Sequence, residues 1–284
     1  MKIWITGASG LVGRALQAAC KERDIHCMQT GRSVDIRSFD SLKKILSDHA
    51  DISHIINCAA FTDVNGAETT SEEAFQTNVL GTEALAKFAA SLGLKLIHLS
   101  TDYVFSGSEP KLFREDDLCT PLGVYAKTKR EGEMRLLEHL PSACLVRTSW
   151  VFGKGGKTFI SSLADKLQKE EKLCVVDDQV NRLTYAPDLA NTLLSLLKYQ
   201  GTFHFANQGV ASRYRVAQYM RGLLMKKEIP LACKELLPAL AADFPQAAPR
   251  PLFSALDTQK IEQTLNIAPR PWQEALEEYI HATF

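Results

Sequence analysis

Two patterns of apolar and polar positions alternate along this chain. Short apolar runs predict buried strands, and longer segments with apolar positions three or four apart predict helices. The predicted strands span residues 2–6, 25–30, 54–58, 95–100, 143–149 and 172–176, and the predicted helices span 11–23, 38–48, 71–92, 124–139 and 158–169. Strands that alternate with helices are typical of an α/β fold, a doubly wound parallel sheet with helices on both faces.

The pattern changes after residue 176. Residues 187–199 and 215–225 are predicted to be helices, with a short strand at 202–205 between them. Residues 237–251 are rich in alanine and proline and predict a long loop, and residues 257–265 and 272–282 are predicted to be closing helices. We therefore expect a smaller lobe appended to the sheet.

A glycine-rich turn follows the first predicted strand and opens the first predicted helix. Its spacing is Gly7-x-x-Gly10-x-x-Gly13. Glycines let the backbone turn tightly and approach a pyrophosphate, whose charge is then held by N–H groups at the helix start. The alternative is a tight turn that binds no ligand. A dinucleotide here would contact Gly7, Ser9, Gly10, Leu11, Val12 and Gly13.

Tyr125 and Lys129 lie four residues apart in the predicted helix 124–139. This spacing places both side chains on one helix face, where the lysine charge is expected to lower the pKa of the phenol toward working pH. Such a pair also arises by chance, so its partners matter. Thr101 lies just past a predicted strand, at the carboxyl end of the sheet, where open α/β folds bind ligands. Taken alone, this threonine is a helix cap or a turn former.

The composition of the chain limits the kinds of partner, compartment and metal site that we expect. The chain has 284 residues with 33 basic and 33 acidic side chains, and its zero net charge argues against nucleic-acid or membrane-surface binding. No apolar run is long enough to span a bilayer, and the chain enters a strand at once, so no signal peptide is expected. Seven scattered cysteines without a Cys-x-x-Cys pair predict reduced thiols in a cytoplasmic protein. The histidines form no His-x-x-x-His pair, and no metal is predicted.

Together these motifs resemble the extended short-chain dehydrogenase/reductase family, and within it the reductases of dTDP-linked 4-keto-6-deoxy sugars. The resembling segments follow the family order over nearly the whole chain. They are residues 7–13, 57–62, 100–105, 125–129, 147–152, 250–251, 254–257 and 271–272. The resemblance implies a Rossmann domain at residues 1–150, extended by parts of 151–210, and a smaller interleaved substrate-binding lobe formed mainly by 151–284.

The resemblance also implies an oxidoreductase that reduces a sugar ketone. NADPH would deliver the hydride, Tyr125 would act as general acid, and Thr101 would hydrogen-bond the carbonyl oxygen. Lys129 would lower the pKa of Tyr125 and bind the nicotinamide ribose. Two alternatives stay open: a reductase or epimerase of another nucleotide-4-keto-sugar, and a non-catalytic NADP-binding regulatory subunit.

Further coenzyme contacts are expected after the second and third strands. No acidic residue follows the second strand to hold a ribose 2′-hydroxyl, and Arg32 would instead pair with the 2′-phosphate of NADPH. A solvated loop arginine is the alternative, and NADH stays open as a coenzyme. The resemblance places Asp35 and Ile36 beside the adenine, and Asn78, which would otherwise be solvated, as a brace of the active site. It counts Asn78 in the coenzyme site and adds Ala59, Ala60, Phe61, Thr62, Leu99 and Tyr125 as coenzyme contacts.

The resemblance also indicates where a nucleotide sugar would bind. Arg250 would bind a phosphate through two hydrogen bonds from its guanidinium group. A surface arginine in a proline-rich loop is the alternative. Trp150 would contact the sugar or its nucleotide carrier, and a core tryptophan is the alternative. The implied substrate contacts are Thr101, Asp102, Trp150 and Arg250.

Several positions depart from the family pattern. Asn181 and Leu183 stand where relatives carry glycine and proline in a loop that shapes the sugar pocket, which leaves the sugar open. Asn65 replaces a usual aspartate. Ala15 and Pro187 stand at or near positions where some relatives bind magnesium through glutamates at a dimer interface. Magnesium is therefore not expected, and a homodimer stays open.

Overall fold

A computed structural model of the chain describes residues 2–284. The strands are β1 (Lys2–Thr6), β2 (His26–Gln29), β3 (Ile52–Asn57), β4 (Lys95–Thr101), β5 (Cys144–Thr148), β6 (Val151–Phe152), β7 (Lys172–Val176), β8 (Val180–Asn181), β9 (Thr184–Tyr185), β10 (Gly201–His204), β11 (Ala211–Ser212) and β12 (Glu235–Ala239). The helices are α1 (Leu11–Glu22), α2 (Phe39–Asp48), α3 (Ser71–Phe75), α4 (Gly81–Leu92), α5 (Val124–His139), α6 (Phe159–Lys169), α7 (Ala186–Ser195), α8 (Arg213–Lys226), α9 (Gln259–Leu265) and α10 (Trp272–Thr283). Across the described range, no helix combines the length and the apolar character needed to cross a bilayer.

Six strands form a central parallel sheet in the order β10-β5-β4-β3-β1-β2. The direction of winding reverses at β1, which pairs with β2 on one side and with β3 on the other. Open parallel sheets bind ligands outside the carboxyl ends of their strands at such a switch point. The predicted doubly wound α/β fold is confirmed, and the ends of β1 and β3 are where a ligand is expected.

Side chains of the central strands alternate between two buried faces. Ile3 and Ile5 pack with α1 and α7 on one face, whereas Trp4 packs with α2 and α4 on the other. The indole nitrogen of Trp4 donates to the hydroxyl of Thr30 at 2.8 Å, so its polar atom is satisfied inside the core. Because both faces are covered, these strands appear in the sequence as continuous apolar runs.

After β5 the chain passes back and forth between the sheet and a second core. Helix α7 packs on the sheet side with α1, and β10 joins the sheet beside β5. The second core collects Phe152 with apolar side chains of α6, α8 and α10. These crossings interleave a smaller lobe with the sheet, and the cavity described below lies between the two.

Two predictions for the C-terminal half are wrong. The sequence predicts a strand of the doubly wound sheet at 172–176, but β7 instead pairs in parallel with β12 in a separate two-stranded sheet. The sequence also predicts a loop at 237–251, and β12 occupies the start of that segment. Pro238 lies within β12, where it has a neighbouring strand on one side only. A proline is tolerated in such an edge strand although it argues against a strand from sequence.

The single helix predicted at 71–92 is interrupted. A π-helical turn at Gln76–Leu80 joins α3 to α4, and Asn78 in that turn is 1% exposed. Helix α5 packs so closely on this turn that a side chain at Gly132 would collide with the backbone oxygen of Asn78. Single π turns recur at functional sites. This one places Asn78 against the helix that carries Tyr125.

Candidate active site

The glycine turn between β1 and α1 is closely packed. Gly7 has a φ of +61°, and a Cβ atom there would lie 2.6 Å from the backbone nitrogen of Ala59 at the end of β3. A Cβ atom on Gly13 would lie 2.5 Å from the carbonyl oxygen of Gly7. Glycine is therefore required at both positions. The other predicted contacts here, Ser9, Gly10, Leu11 and Val12, are exposed or half-buried at the start of α1, where backbone N–H groups lack helical partners.

The loop after β2 carries the residues predicted to lie near the adenine. Asp35 accepts hydrogen bonds from Arg37 at 2.8 and 2.9 Å, and these bonds lower the pKa of its carboxyl. Ile36 is buried in the core below α4. Arg32 is exposed, and no carboxylate among residues 2–284 pairs with it. Of the two arginines in this loop, Arg32 is thus the one available for a 2′-phosphate.

Asn78 joins the loop after β3 to α5. Its Oδ1 accepts from the Phe61 backbone N–H at 2.9 Å, and its Nδ2 donates to the Phe61 carbonyl at 3.2 Å and to the Thr128 hydroxyl at 3.1 Å. Thr128 in turn donates to the Tyr125 carbonyl at 2.9 Å. The solvated alternative for Asn78 is therefore wrong. The remaining predicted residues of this loop, Ala59, Ala60 and Thr62, are half-buried or exposed.

Thr101 at the end of β4 and Tyr125 at the start of α5 line one cavity of about 590 Å³. The Thr101 hydroxyl donates to the Asp102 carboxylate at 3.2 Å. Tyr103 packs edge-on against Tyr125, with ring centroids 6.1 Å apart. Burial raises the pKa of Tyr125, and the neighbouring Thr101 hydroxyl opposes that rise. The phenol is therefore a protonated group at neutral pH, next to a second hydroxyl.

Lys129 is buried one turn further along α5. Its Nζ donates to the Leu99 carbonyl at 2.7 Å and lies 3.3 Å from Nε2 of His98. Burial lowers the pKa of Lys129 to about 8, and the charge of Glu133 opposes this. The predicted lowering of the Tyr125 pKa is therefore wrong for this structure. The lysine amine is directed at β4, and desolvation dominates at the phenol.

Asp102 is a buried residue of the cavity wall. Its carboxylate accepts hydrogen bonds from the Asn181 amide at 2.7 Å and the Ser254 hydroxyl at 2.5 Å. Burial raises the pKa of Asp102 to about 6, and these hydrogen bonds oppose the rise. Asn181 also donates to Ser254 at 2.9 Å. The asparagine that departs from the family pattern thus contacts a predicted substrate residue directly.

Trp150 and Arg250 also line the cavity. Trp150 is half-buried and has a φ of +42°, a conformation that is rare for a bulky residue and recurs at functional sites. It borders the second core and the cavity at once. Arg250 is half-buried in a loop, donates to the Asn65 side chain at 3.2 Å and has a buried Nε.

Arg213 is a cavity residue that no sequence motif indicates. It begins α8, far along the chain from the motifs of the sheet domain. The fold stacks its guanidinium on the rings of Trp150 and Phe159. Only the packing of α8 against the start of α6 brings these residues together, so no local sequence signal could have found it.

Comparison with known proteins finds relatives over the whole chain. The family model described as "RmlD substrate binding domain" matches residues 1–284. The dTDP-4-dehydrorhamnose reductase of Mycobacterium tuberculosis (strain CDC 1551 / Oshkosh) is 37% identical over 285 residues, covering 97% of this chain and 91% of that protein. The chain belongs to the dTDP-4-dehydrorhamnose reductase family. The expected oxidoreductase family is thereby confirmed.

Solved structures of dTDP-4-dehydrorhamnose reductases have the same fold. The protein from Clostridium acetobutylicum ATCC 824 is 34% identical, with a TM-score of 0.92 over 99% of each chain. The protein from Bacillus anthracis str. Ames, solved in complex with NADP, is 28% identical, with a TM-score of 0.91 over 99% of each chain. The likeness therefore extends over both lobes.

Proposed function

We propose that this member of the dTDP-4-dehydrorhamnose reductase family uses NADPH to reduce the 4-keto group of dTDP-4-dehydro-L-rhamnose, forming dTDP-L-rhamnose. The observation that carries the proposal is that Thr101 and Tyr125 line the same cavity as Asp102, Trp150 and Arg250. A proton donor and a hydrogen-bonding hydroxyl thus meet side chains suited to a sugar and its phosphates. A cavity of this size is typical of small-molecule sites.

The ends of β1 and β3 fit a dinucleotide. Gly7 and Gly13 let the turn pack tightly against the segment after β3 and the start of α1, and the N–H groups that begin α1 would hold a ligand's pyrophosphate. Arg32 would hold the 2′-phosphate that distinguishes NADPH, and NADH stays open as a second coenzyme. When bound, NADPH supplies a hydride to the carbonyl carbon of the substrate.

The residues of the chain would move the proton and hold the reacting oxygen. Tyr125, protonated at neutral pH, gives its proton to the carbonyl oxygen as the carbon is reduced, and solvent restores that proton. The Thr101 hydroxyl, which donates to Asp102 in this structure, would turn to donate its hydrogen bond to the same oxygen. Lys129, fixed by the Leu99 carbonyl, would hold the nicotinamide ribose beside them.

A second candidate is a reductase or epimerase of another nucleotide-4-keto-sugar. The hydrogen bonds from Asn181 to Asp102 and Ser254 favour it, since they change the sugar end of the cavity at a position where relatives carry glycine. A panel of nucleotide-4-keto-sugars separates the two candidates by their kcat/KM values.

The test is NADPH oxidation, followed by absorbance, with enzymatically generated dTDP-4-dehydro-L-rhamnose. Wild type should turn over, and Tyr125→Phe should lose roughly 100-fold or more in kcat with NADPH affinity nearly unchanged. Tyr199→Phe, whose hydroxyl contacts the Thr264 carbonyl away from the cavity, is the control and should keep full activity.

Full turnover in Tyr125→Phe would refute the catalytic assignment. Wild type that binds NADPH but turns over another 4-keto-sugar would move the proposal to that substrate. Wild type that binds NADPH and turns over no member of the panel would favour the non-catalytic regulatory role.

A further inference from the structure

Two guanidinium groups lie in the wall of the same cavity. Arg213 and Arg250 line it together with Tyr103, whose ring packs on Tyr125, and both positive charges oppose the rise that burial causes in the pKa of Tyr103. We propose that Arg213 and Arg250 together clamp the diphosphate of the nucleotide-sugar substrate, and that Arg213 fixes the position of the diphosphate. This inference rests on the proposed function and assigns Arg213 to the same site.

Arg213 is held rigidly. Its guanidinium carbon lies 4.5 Å from the centre of the Trp150 ring and 4.6 Å from that of Phe159. Its Nε donates to Gln179 at 3.1 Å, which leaves the two terminal nitrogens for a ligand. Stacking and one fixed hydrogen bond orient the planar fork, and such a fork matches two phosphate oxygens.

The charge of Arg213 has no carboxylate partner. Within residues 2–284 neither Arg213 nor Arg250 forms an ion pair, and the Nε of Arg250 is buried without a hydrogen-bond partner. Asp102, the carboxylate that faces Arg213, is engaged by Asn181 and Ser254. Burial lowers the pKa of Arg213, and the charge of Arg250 adds to this effect.

The positive charges of Arg213 and Arg250 repel each other, and an anion bound between them removes that repulsion. A diphosphate ester carries two negative charges and presents oxygens to both forks at once. The same cavity holds Thr101 and Tyr125, so a sugar attached to this diphosphate can reach the hydroxyls. Lys157 also lines this cavity and adds a third positive charge.

The experiment is calorimetric titration of dTDP and dTMP into the full-length protein saturated with NADPH. Arg213→Ala should weaken dTDP binding roughly 10- to 100-fold, the loss expected for a bidentate charge-assisted contact, and should affect dTMP less. Arg213→Lys, which keeps the charge without the planar fork, should fall between. Arg215→Ala removes the same charge from an exposed position two residues along α8 and should bind dTDP like wild type.

Retained NADPH binding and thermal unfolding show that each variant is folded. If Arg213→Ala binds dTDP as tightly as wild type, the clamp is refuted. If wild type binds UDP or GDP instead of dTDP, the proposed substrate is wrong. The same variants, titrated with that nucleotide, then show whether Arg213 clamps its diphosphate. If wild type binds no nucleoside diphosphate, both are overturned.

Discussion

The Nζ atom of Lys129 lies 3.3 Å from Nε2 of His98, and the surrounding hydrogen bonds decide which protons each group carries. Oδ1 of Asn57 accepts from the Ala59 backbone N–H at 3.1 Å, so its amide nitrogen faces Nδ1 of His98, 2.9 Å away. Burial, and then the charge of Lys129, lowers the pKa of His98 well below its usual range, so the ring is neutral. The proton of the neutral imidazole is therefore on Nε2. Lys129 can accept a hydrogen bond from it only when its own amine is neutral, because an ammonium group has no lone pair.

We expect His98→Asn to raise the pKa of Lys129. The amide oxygen would still accept from Asn57, but the Nε2 proton that favours the neutral amine would be gone. The pKa of Lys129, about 8 in this structure, should rise by roughly one unit or more. Titration of 13C- and 15N-labelled lysine by NMR measures it. Glu133 and Cys58, the other charged or titratable groups facing the amine, are unchanged in the variant.

His54→Asn is the matched control for this titration. His54 lies on the neighbouring strand β3, and its imidazole contacts Ser53 and not Lys129. This control should leave the pKa of Lys129 where it is. An unchanged pKa in His98→Asn would show that the imidazole merely fills space.

Asn181→Ala should destabilise the protein in a pH-dependent way. The pKa of Asp102 is raised from 3.8 to about 6 by burial, so its contribution to stability is present below about pH 4 and lost as the pH rises through 6. The Asn181 amide stabilises the ionised form. Its removal should lower the free energy of unfolding by about 1–3 kcal/mol at pH 8 and by less at pH 4.5.

Urea unfolding at these two pH values measures that difference. Asn191→Ala removes an amide on α7 that donates to the Pro187 carbonyl, remote from Asp102. Its effect should be the same at both pH values. An equal loss at both pH values in Asn181→Ala would mean that the asparagine packs but does not bond the carboxylate.

Arg32→Ala should weaken NADPH binding roughly 10- to 100-fold and leave NADH binding unchanged, because only NADPH carries the 2′-phosphate. Fluorescence titration of both coenzymes gives the two dissociation constants. Arg23→Ala is the control: this exposed arginine near the end of α1 bonds Asn191 and should affect neither coenzyme. Equal weakening for NADPH and NADH would rule out the 2′-phosphate role.

Asn78→Ala should lower the free energy of unfolding by about 2–4 kcal/mol, because it leaves the Phe61 backbone groups and the Thr128 hydroxyl without partners in a buried place. It should also reduce kcat, since Thr128 bonds the backbone of Tyr125. Gln76→Ala, in the same π turn but bonded only near the surface, should cost under about 0.5 kcal/mol. Similar losses in the two variants would argue against the bracing role.

Much of the sheet domain could be predicted from the sequence, because its signals are local. Residues 2–6 appear as a buried strand because both faces are covered, and Gly7 and Gly13 mark a turn that no other residue fits. The Tyr125 and Thr101 pairing was also predictable, since the carboxyl ends of parallel strands and the helix beside them share one edge of the sheet.

The second lobe was less predictable, because its strands are short and pair over long distances. Nothing near residue 172 indicates that β7 pairs with β12 and not with the central sheet, and Pro238 conceals β12 itself. The π turn at Asn78 was also hidden, since its cause is the close packing of α5 and not the local sequence.

By itself the sequence determined the fold class, the glycine turn and the order of motifs, since each depends on the spacing of residues along a few turns of chain. Only the tertiary structure decided the pKa values of the site residues and which residues lie together in the cavity. Burial raises the pKa of Tyr125 where the sequence predicts a fall, and α8 brings Arg213 into the cavity that Arg250 also lines. Desolvation and long-range contacts arise only when distant segments pack, and spacing along the chain does not encode them.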